Sequence, residues 1–132
     1  MYLIDTDILI YSLKGVPQVI SNFKLFEDAP KAISVISYGE LIYGANKSAK
    51  VTSNLAKVHR LQEIFPVIDA SKSILDCFGS IKADLSKEGI SVADFDLLIG
   101  STAITLGYTL VTNNEKHFSK IPDLKMTNWM KQ

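Results

Sequence analysis

Short apolar runs that stop abruptly on polar residues, each followed by a helix-forming stretch, constrain this chain more than any other feature. Tyr2-Leu3-Ile4 halts at Asp5-Thr6-Asp7, and the β-branched run Ala32 to Ile36 gives way to Ser37-Tyr38-Gly39-Glu40. Pro66-Val67-Ile68 is followed by a helical pattern from Ser71 to Lys87, and Tyr108 to Val111 breaks at Asn113-Asn114. Runs this short and this apolar read as strands buried on both faces, and strands that alternate with helices build a mainly parallel sheet. The expected architecture is a three-layer α/β/α sandwich. In such a sheet ligands bind outside the carboxyl ends of the strands, so the polar residues ending each run are the first place to look for chemistry.

The remaining elements follow from spacing and punctuation. Asp7 is expected to cap a helix from Ile8 to Lys14, stopped by Gly15, and Pro17 opens a second helix through about Phe26. Ser37 and Glu40 have the S-x-x-E spacing of a capping box for a helix running to about Ser48. Val51, Leu55, Val58, Leu61 and Ile64 recur at three and four residues, an amphipathic helix over Lys50 to Ile64. Ala93 or Asp94 starts a helix to Leu106 with Gly107 beyond its end, and a last strand falls near Met126.

A chain of 132 residues with 47% hydrophobic content is long enough for one domain, taken as residues 1–132, and too apolar for intrinsic disorder. Its 14 basic and 14 acidic residues cancel, so any nucleic-acid partner has to be held by a local patch. Lys47, Lys50, Lys57 and Arg60 form one such run without an intervening acid, read either as a phosphate-binding strip or as a solvated helix face. Residues 1–10 carry Asp5 and Asp7 and no basic leader, and the uncharged stretch Leu97 to Asn114 contains Gly100 and Gly107. Neither resembles a signal peptide or a membrane span, which leaves a cytoplasmic protein without a membrane partner as the expectation. Cys77 reads as a buried small hydrophobe, and His59 and His117 as surface or core histidines.

Four separated segments therefore bring acids or amides to one sheet edge: Asp5 and Asp7, Glu40, Asp94 and Asp96, and Thr112-Asn113-Asn114. Carboxylates gathered at close range repel unless a cation neutralises them, and oxygen ligands without histidine suit magnesium or manganese. Each residue also has a local reading: Asp7 and Asp94 as helix caps, Glu40 as half of a capping box, Asp96 as a partner for the helix dipole, and the asparagines as turn residues. Their convergence on one edge favours a site.

Leu3-Ile4-Asp5-Thr6-Asp7, then Ile36-Ser37-Tyr38-Gly39-Glu40-Leu41-Ile42-Tyr43-Gly44-Ala45, then Phe95-Asp96-Leu97-Leu98-Ile99-Gly100, then Leu110-Val111-Thr112-Asn113-Asn114 with Phe118 and Ile121 resemble the PIN-domain ribonucleases. Within that family the chain is similar to the VapC-type toxins of bacterial toxin–antitoxin pairs, with four motifs in order over nearly its whole length. The resemblance implies hydrolysis of phosphodiester bonds in structured RNA, often the anticodon region of a tRNA. It also implies Mg²⁺, with Mn²⁺ as a substitute, a homodimer, and a small antitoxin whose tail fills the active-site groove. Carried over by position, Asp5, Glu40 and Asp96 match the family's acids, with Asp5 and Asp96 on the metal and Glu40 reaching it through water. Asn114 stands where many relatives have a fourth acid. Asp7, where an Asn is usual, Asp94 and Thr112 are auxiliary.

Three rival readings remain open. A phosphatase of the haloacid dehalogenase type would use Asp5 as nucleophile. A phospho-receiver domain would phosphorylate Asp69 after the third strand. A catalytically degenerate PIN domain would only bind RNA.

Overall fold

The computed structural model describes residues 1–131. Five short strands form one parallel sheet in the order β3-β2-β1-β4-β5. They are β1 (Tyr2–Ile4), β2 (Lys31–Ser34), β3 (Val67–Ile68), β4 (Thr109–Val111) and β5 (Met126–Thr127). Seven helices connect them: α1 (Thr6–Leu13) and α2 (Pro17–Leu25) before β2, and α3 (Val35–Lys47) and α4 (Val51–Ile64) before β3. After β3 come α5 (Lys72–Lys87) and α6 (Asp94–Leu106), and α7 (Glu115–Phe118) precedes β5.

Alternation along the short central strands creates the two faces. Ile4, Ile33 and Val111 face a core shared with Ile8, Leu9, Val19, Leu41, Val58 and Leu61 of α1 to α4. Leu3, Ala32 and Leu110 face the opposite core, filled by Leu85, Leu97, Ile99, Ala103 and Phe118 of α5 to α7. The expected α/β/α sandwich is thus present, with both sheet faces dry. Full burial of each such aliphatic side chain contributes roughly 1.5–3 kcal/mol. Trp129, beyond β5, closes the first core by stacking on Phe26 at 5.3 Å between ring centroids. Asn22 Nδ2 holds that end of the chain by donating to the Trp129 carbonyl at 2.9 Å. No helix among the described residues is long and apolar enough to cross a membrane.

Strand register sets the location of the site. Ile4 pairs with Val111 across β1 and β4, so the residues that follow, Asp5 and Thr112, emerge side by side. The chain lays β2 and β3 to one side of β1 and β4 and β5 to the other. Asp5 and Thr112 therefore stand at the point where the strand order reverses, where such sheets open a crevice.

Three helix starts differ from expectation. Asp5, not Asp7, caps α1: its backbone is extended (φ −70°, ψ 157°) and its side chain accepts from Thr6 N. The sheet causes the shift, because Asp5 N still donates to Val111 O at 2.9 Å and the helix starts directly afterwards. Ser34, not Ser37, caps α3, accepting from Ile36 N at 3.0 Å. The second strand accordingly ends at Ser34, and tertiary position overrides the β-preference of Val35 and Ile36. Ser37 is instead buried inside the helix with its hydroxyl unpartnered, so Glu40 is in no capping box. Ala93 occupies the cap position of α6 in place of Asp94.

Candidate active site

Asp5 is the most enclosed acid of the site, 5% exposed. Its Oδ1 accepts from Thr6 N and its Oδ2 from Thr112 Oγ1, each at 2.8 Å. The Thr112 hydroxyl in turn accepts from Asn114 N at 2.9 Å, which ties the β4–α7 turn to the acid. Burial pushes the Asp5 carboxyl up to about 7, and the charge of Asp7 adds to this. The hydrogen bonds from Thr112 and Thr6 oppose the rise, while Asp96 reinforces it.

Asp7 turns towards the same opening. Its Oδ1 accepts from Ile8 N at 2.7 Å and its Oδ2 from Asn113 N at 3.1 Å, so it links α1 to the turn after β4. Burial raises its pKa above the usual value, against the pull of these bonds. Asp96, the third residue of α6, is half-buried and likewise raised by burial; His117 opposes that shift. Three half-buried or buried carboxylates with raised pKa values around one opening mark a candidate functional site.

Glu40 arrives from α3 and accepts a hydrogen bond from Thr6 Oγ1 at 2.7 Å. Asp5, Thr6, Asp7, Glu40, Asp96, Asn113 and Asn114 line one open cleft of about 380 Å³, with Ile10 and Tyr11 on its wall. Of the expected site residues, Asp5, Asp7, Glu40, Asp96 and Asn114 are thus brought together, and Thr112 lies directly behind Asp5. Asp94 is not among them. It is exposed and pairs with Lys82 at 2.8 Å, because positions two apart on a helix point about 200° apart and Asp96 takes the inward one.

Two members were missed in the sequence. Thr6 holds Glu40, and His117 Nδ1 stands 3.7 Å from Asp96 Oδ2 and 3.0 Å from Asn114 Nδ2. The clue to the second was available: Asn114 and His117 are three residues apart at the start of a helix, a spacing that faces side chains together. Cys77 is half-buried rather than buried.

Lys47, Lys50, Lys57 and Arg60 are all exposed. Only Lys57 reaches a concavity, an apolar groove of about 270 Å³ between α1, α3 and α4. Lys14, Leu13, Leu41 and Val58 also line it, and Ile10 and Glu40 are common to the groove and the acidic cleft. The two are neighbours that share these residues as a common wall.

The rival enzyme readings fail on this geometry. Asp69 is exposed beyond β3, the edge strand, far from the strand-order reversal that a phospho-acceptor needs. A dehalogenase-type phosphatase wants a later acid pair just after a strand, whereas Asp94 and Asp96 open α6 and Asp94 pairs with Lys82.

Comparison with known proteins decides the family. The PIN domain matches residues 2–124. The chain belongs to the PIN-domain family. Within it the chain groups with the VapC nucleases and is itself a nuclease. It is 36% identical to Ribonuclease VapC2 of Rickettsia felis over 133 residues, 99% of each chain. It is 32% identical to the tRNA(fMet)-specific endonuclease VapC of Salmonella typhimurium over 97% of each chain. The crystal structure of VapBC2 from Rickettsia felis bound to a DNA fragment from their promoter superposes with a TM-score of 0.90 at 35% identity, covering 97% of this chain and 98% of that one. The chain is thus an enzyme of the PIN family, and its candidate site lies at the carboxyl end of β1 and β4.

Proposed function

We propose that this PIN nuclease is a metal-dependent endoribonuclease toxin that cuts structured RNA in the anticodon region of a tRNA, with its 132 residues working as one cytoplasmic domain. The observation that carries the reading is the cleft itself: Asp5, Asp7 and Asp96 with raised pKa values beside Glu40 and Asn114. The tRNA-specific relative of Salmonella typhimurium supports the choice of substrate.

A divalent cation fits this donor set. The oxygens are hard ligands, and neutralising charge would relieve the repulsion that helps keep Asp5 near 7. Among the described residues no three His, Cys, Asp or Glu side chains form a ready-made metal cage. That suits Mg²⁺, which keeps several of its waters and takes only one or two carboxylates; Mn²⁺ would substitute. Asp5 and Asp96 would hold the ion, with Glu40 reaching it through water and Asp7 as an added acid. Bound there, the ion supplies Lewis-acid activation of a water and offsets the charge growing on the phosphate.

The protein's own residues orient the reactants. Thr112 and the Thr6 N–H fix both oxygens of Asp5, so the carboxylate presents a defined face. Thr6 holds Glu40 at the cleft wall, where it can orient the attacking water. Asn114 offers its side-chain oxygen as an acceptor for a hydrogen bond from the attacking water. Lys57 and Lys14 extend a positive margin from the cleft along the groove, while Lys47, Lys50 and Arg60 lie outside it as a more distant phosphate-binding strip.

A cognate antitoxin is the partner this reading needs, since the neighbouring structures include toxin–antitoxin complexes. An apolar peptide segment would cover Ile10, Leu13, Leu41 and Val58 in the groove, and an arginine at its end would reach the carboxylates in place of the cation. The protein would act as a homodimer, as implied for VapC-type toxins. The test is to incubate total tRNA with purified protein and map the new ends. Ends confined to one anticodon loop support the reading, and scattered cleavage or cleavage of DNA instead would reject it.

A further inference from the structure

We propose that His117 is a positioning residue that fixes the side-chain amide of Asn114 and thereby aims its oxygen into the cleft. The inference rests on the functional reading of the site given above and concerns a residue that no part of that reading uses.

Asn114 occupies the cap position of α7, where an asparagine ordinarily turns its side-chain oxygen onto an N–H of the first turn. Here it makes no side-chain cap bond, although its backbone oxygen accepts from His117 N and Phe118 N at 3.2 Å each. The amide instead lies with Nδ2 3.0 Å from His117 Nδ1. An amide nitrogen only donates, so Nδ1 is the acceptor in this contact. With Nδ2 held by the imidazole, Asn114 Oδ1 is left free on a residue that lines the cleft.

The turn is held from its other side too. Asn114 N donates to Thr112 Oγ1, which donates to Asp5 Oδ2. Asn114 is therefore held from both sides, its backbone N–H by the bond that leads to the most buried acid and its side-chain amide by the bond that leads to the rim. Without His117 the amide could rotate about its last torsion, and half its orientations would turn NH₂, which cannot accept a hydrogen bond from the attacking water, into the cleft. Packing does not explain the histidine: its side chain is 56% exposed, while the adjacent Phe118 fills the core.

The test compares His117→Ala, His117→Asn and His117→Leu by cleavage kinetics and by the ¹H–¹⁵N signals of the Asn114 side-chain amide in metal-free protein. His117→Ala should lower kcat by about 10–100-fold, the range for losing a residue that orients a ligand, with KM little changed. His117→Asn places an acceptor oxygen near the position of Nδ1 and should regain much of that loss, whereas His117→Leu restores bulk alone and should not. The shifted, protected amide proton of Asn114 should vanish in the Ala and Leu variants and return in the Asn variant. Equal rescue by Leu and Asn, or an amide signal unchanged in His117→Ala, would overturn the proposal. The amide readout needs no RNA, so it decides the role of His117 even if the functional reading fails.

Discussion

Thr6 and Glu40, 34 residues apart, are joined by a 2.7 Å hydrogen bond in which the threonine hydroxyl donates to the carboxylate. Thr6 is the first residue of α1 and its backbone N–H already serves Asp5. One residue thus orients two acids that come from different elements. Thr6→Val keeps the shape and the backbone bond while removing only the hydroxyl. A hydrogen bond to a charged group contributes about 1.5–3 kcal/mol, so up to about 100-fold in kcat/KM is at stake, and the loss should appear with the fold intact. Cleavage kinetics and a thermal melt together check this.

Asp5→Asn should abolish cleavage and raise the melting temperature at pH 8. The sign follows from linkage. Asp5 is near 3.8 when unfolded and about 7 when folded, so between those values the folded state holds a proton that the unfolded state has lost. Its contribution therefore falls with rising pH across that window, by about 1.4 kcal/mol per unit, and the full cost stands above pH 7. An uncharged amide escapes the cost. A variant no more stable than wild type at pH 8 would contradict the burial argument.

The same window governs cation binding. Mn²⁺ or Mg²⁺ should stabilise wild-type protein against heat strongly at pH 8 and little at pH 5, where Asp5 is protonated and a cation must compete with that proton. Calorimetry at the two pH values measures the difference, and Asp96→Asn should shrink it.

Lys57→Glu should weaken RNA binding more than Lys47→Glu, since Lys57 lines the groove that shares Ile10 and Glu40 with the cleft while Lys47 lies 5.7 Å over the exposed Tyr43 ring. Removing one lysine–phosphate pair should also make the logarithmic salt slope shallower by about 0.7 for a single strand. Filter binding across a salt series reads both quantities. Equal effects from the two variants would remove the groove from the RNA path.

Gly100→Ala offers a stability test away from the chemistry. An added Cβ would stand 2.8 Å from Ile121 Cδ1, the far end of a buried side chain. Overpacking of this kind costs about 1–3 kcal/mol, and Ile121→Val in the same chain should recover part of it. Thermal melts of the single and double variants measure both effects.

The layered fold was legible because the strands are apolar, short and sharply ended, and parallel sheets buried on both faces leave that pattern. The helix starts were not, because Ala93 takes the cap position of α6 with no side-chain bond at all, while Asp5 and Ser34 became caps through strand register rather than through the strength of the capping residue. Asp7 and Ser37 were better local candidates and lost to it. Convergence of Asp5, Glu40 and Asp96 was visible in the motifs. Asp94 could not be separated from Asp96 without knowing which helical position faces inward. Thr6 and His117 act through bonds made across elements or within one short turn, which composition and spacing at the level of single motifs do not reveal.

The most direct test of the account is cleavage of a total tRNA pool by wild-type and Asp96→Asn protein, each with Mg²⁺ and with EDTA. The account predicts discrete fragments from wild-type protein with Mg²⁺ and none in the other three reactions. Equal cleavage by Asp96→Asn, or by wild-type protein in EDTA, would contradict it, and no cleavage by wild-type protein freed of any bound peptide would point to a PIN domain that binds without cutting.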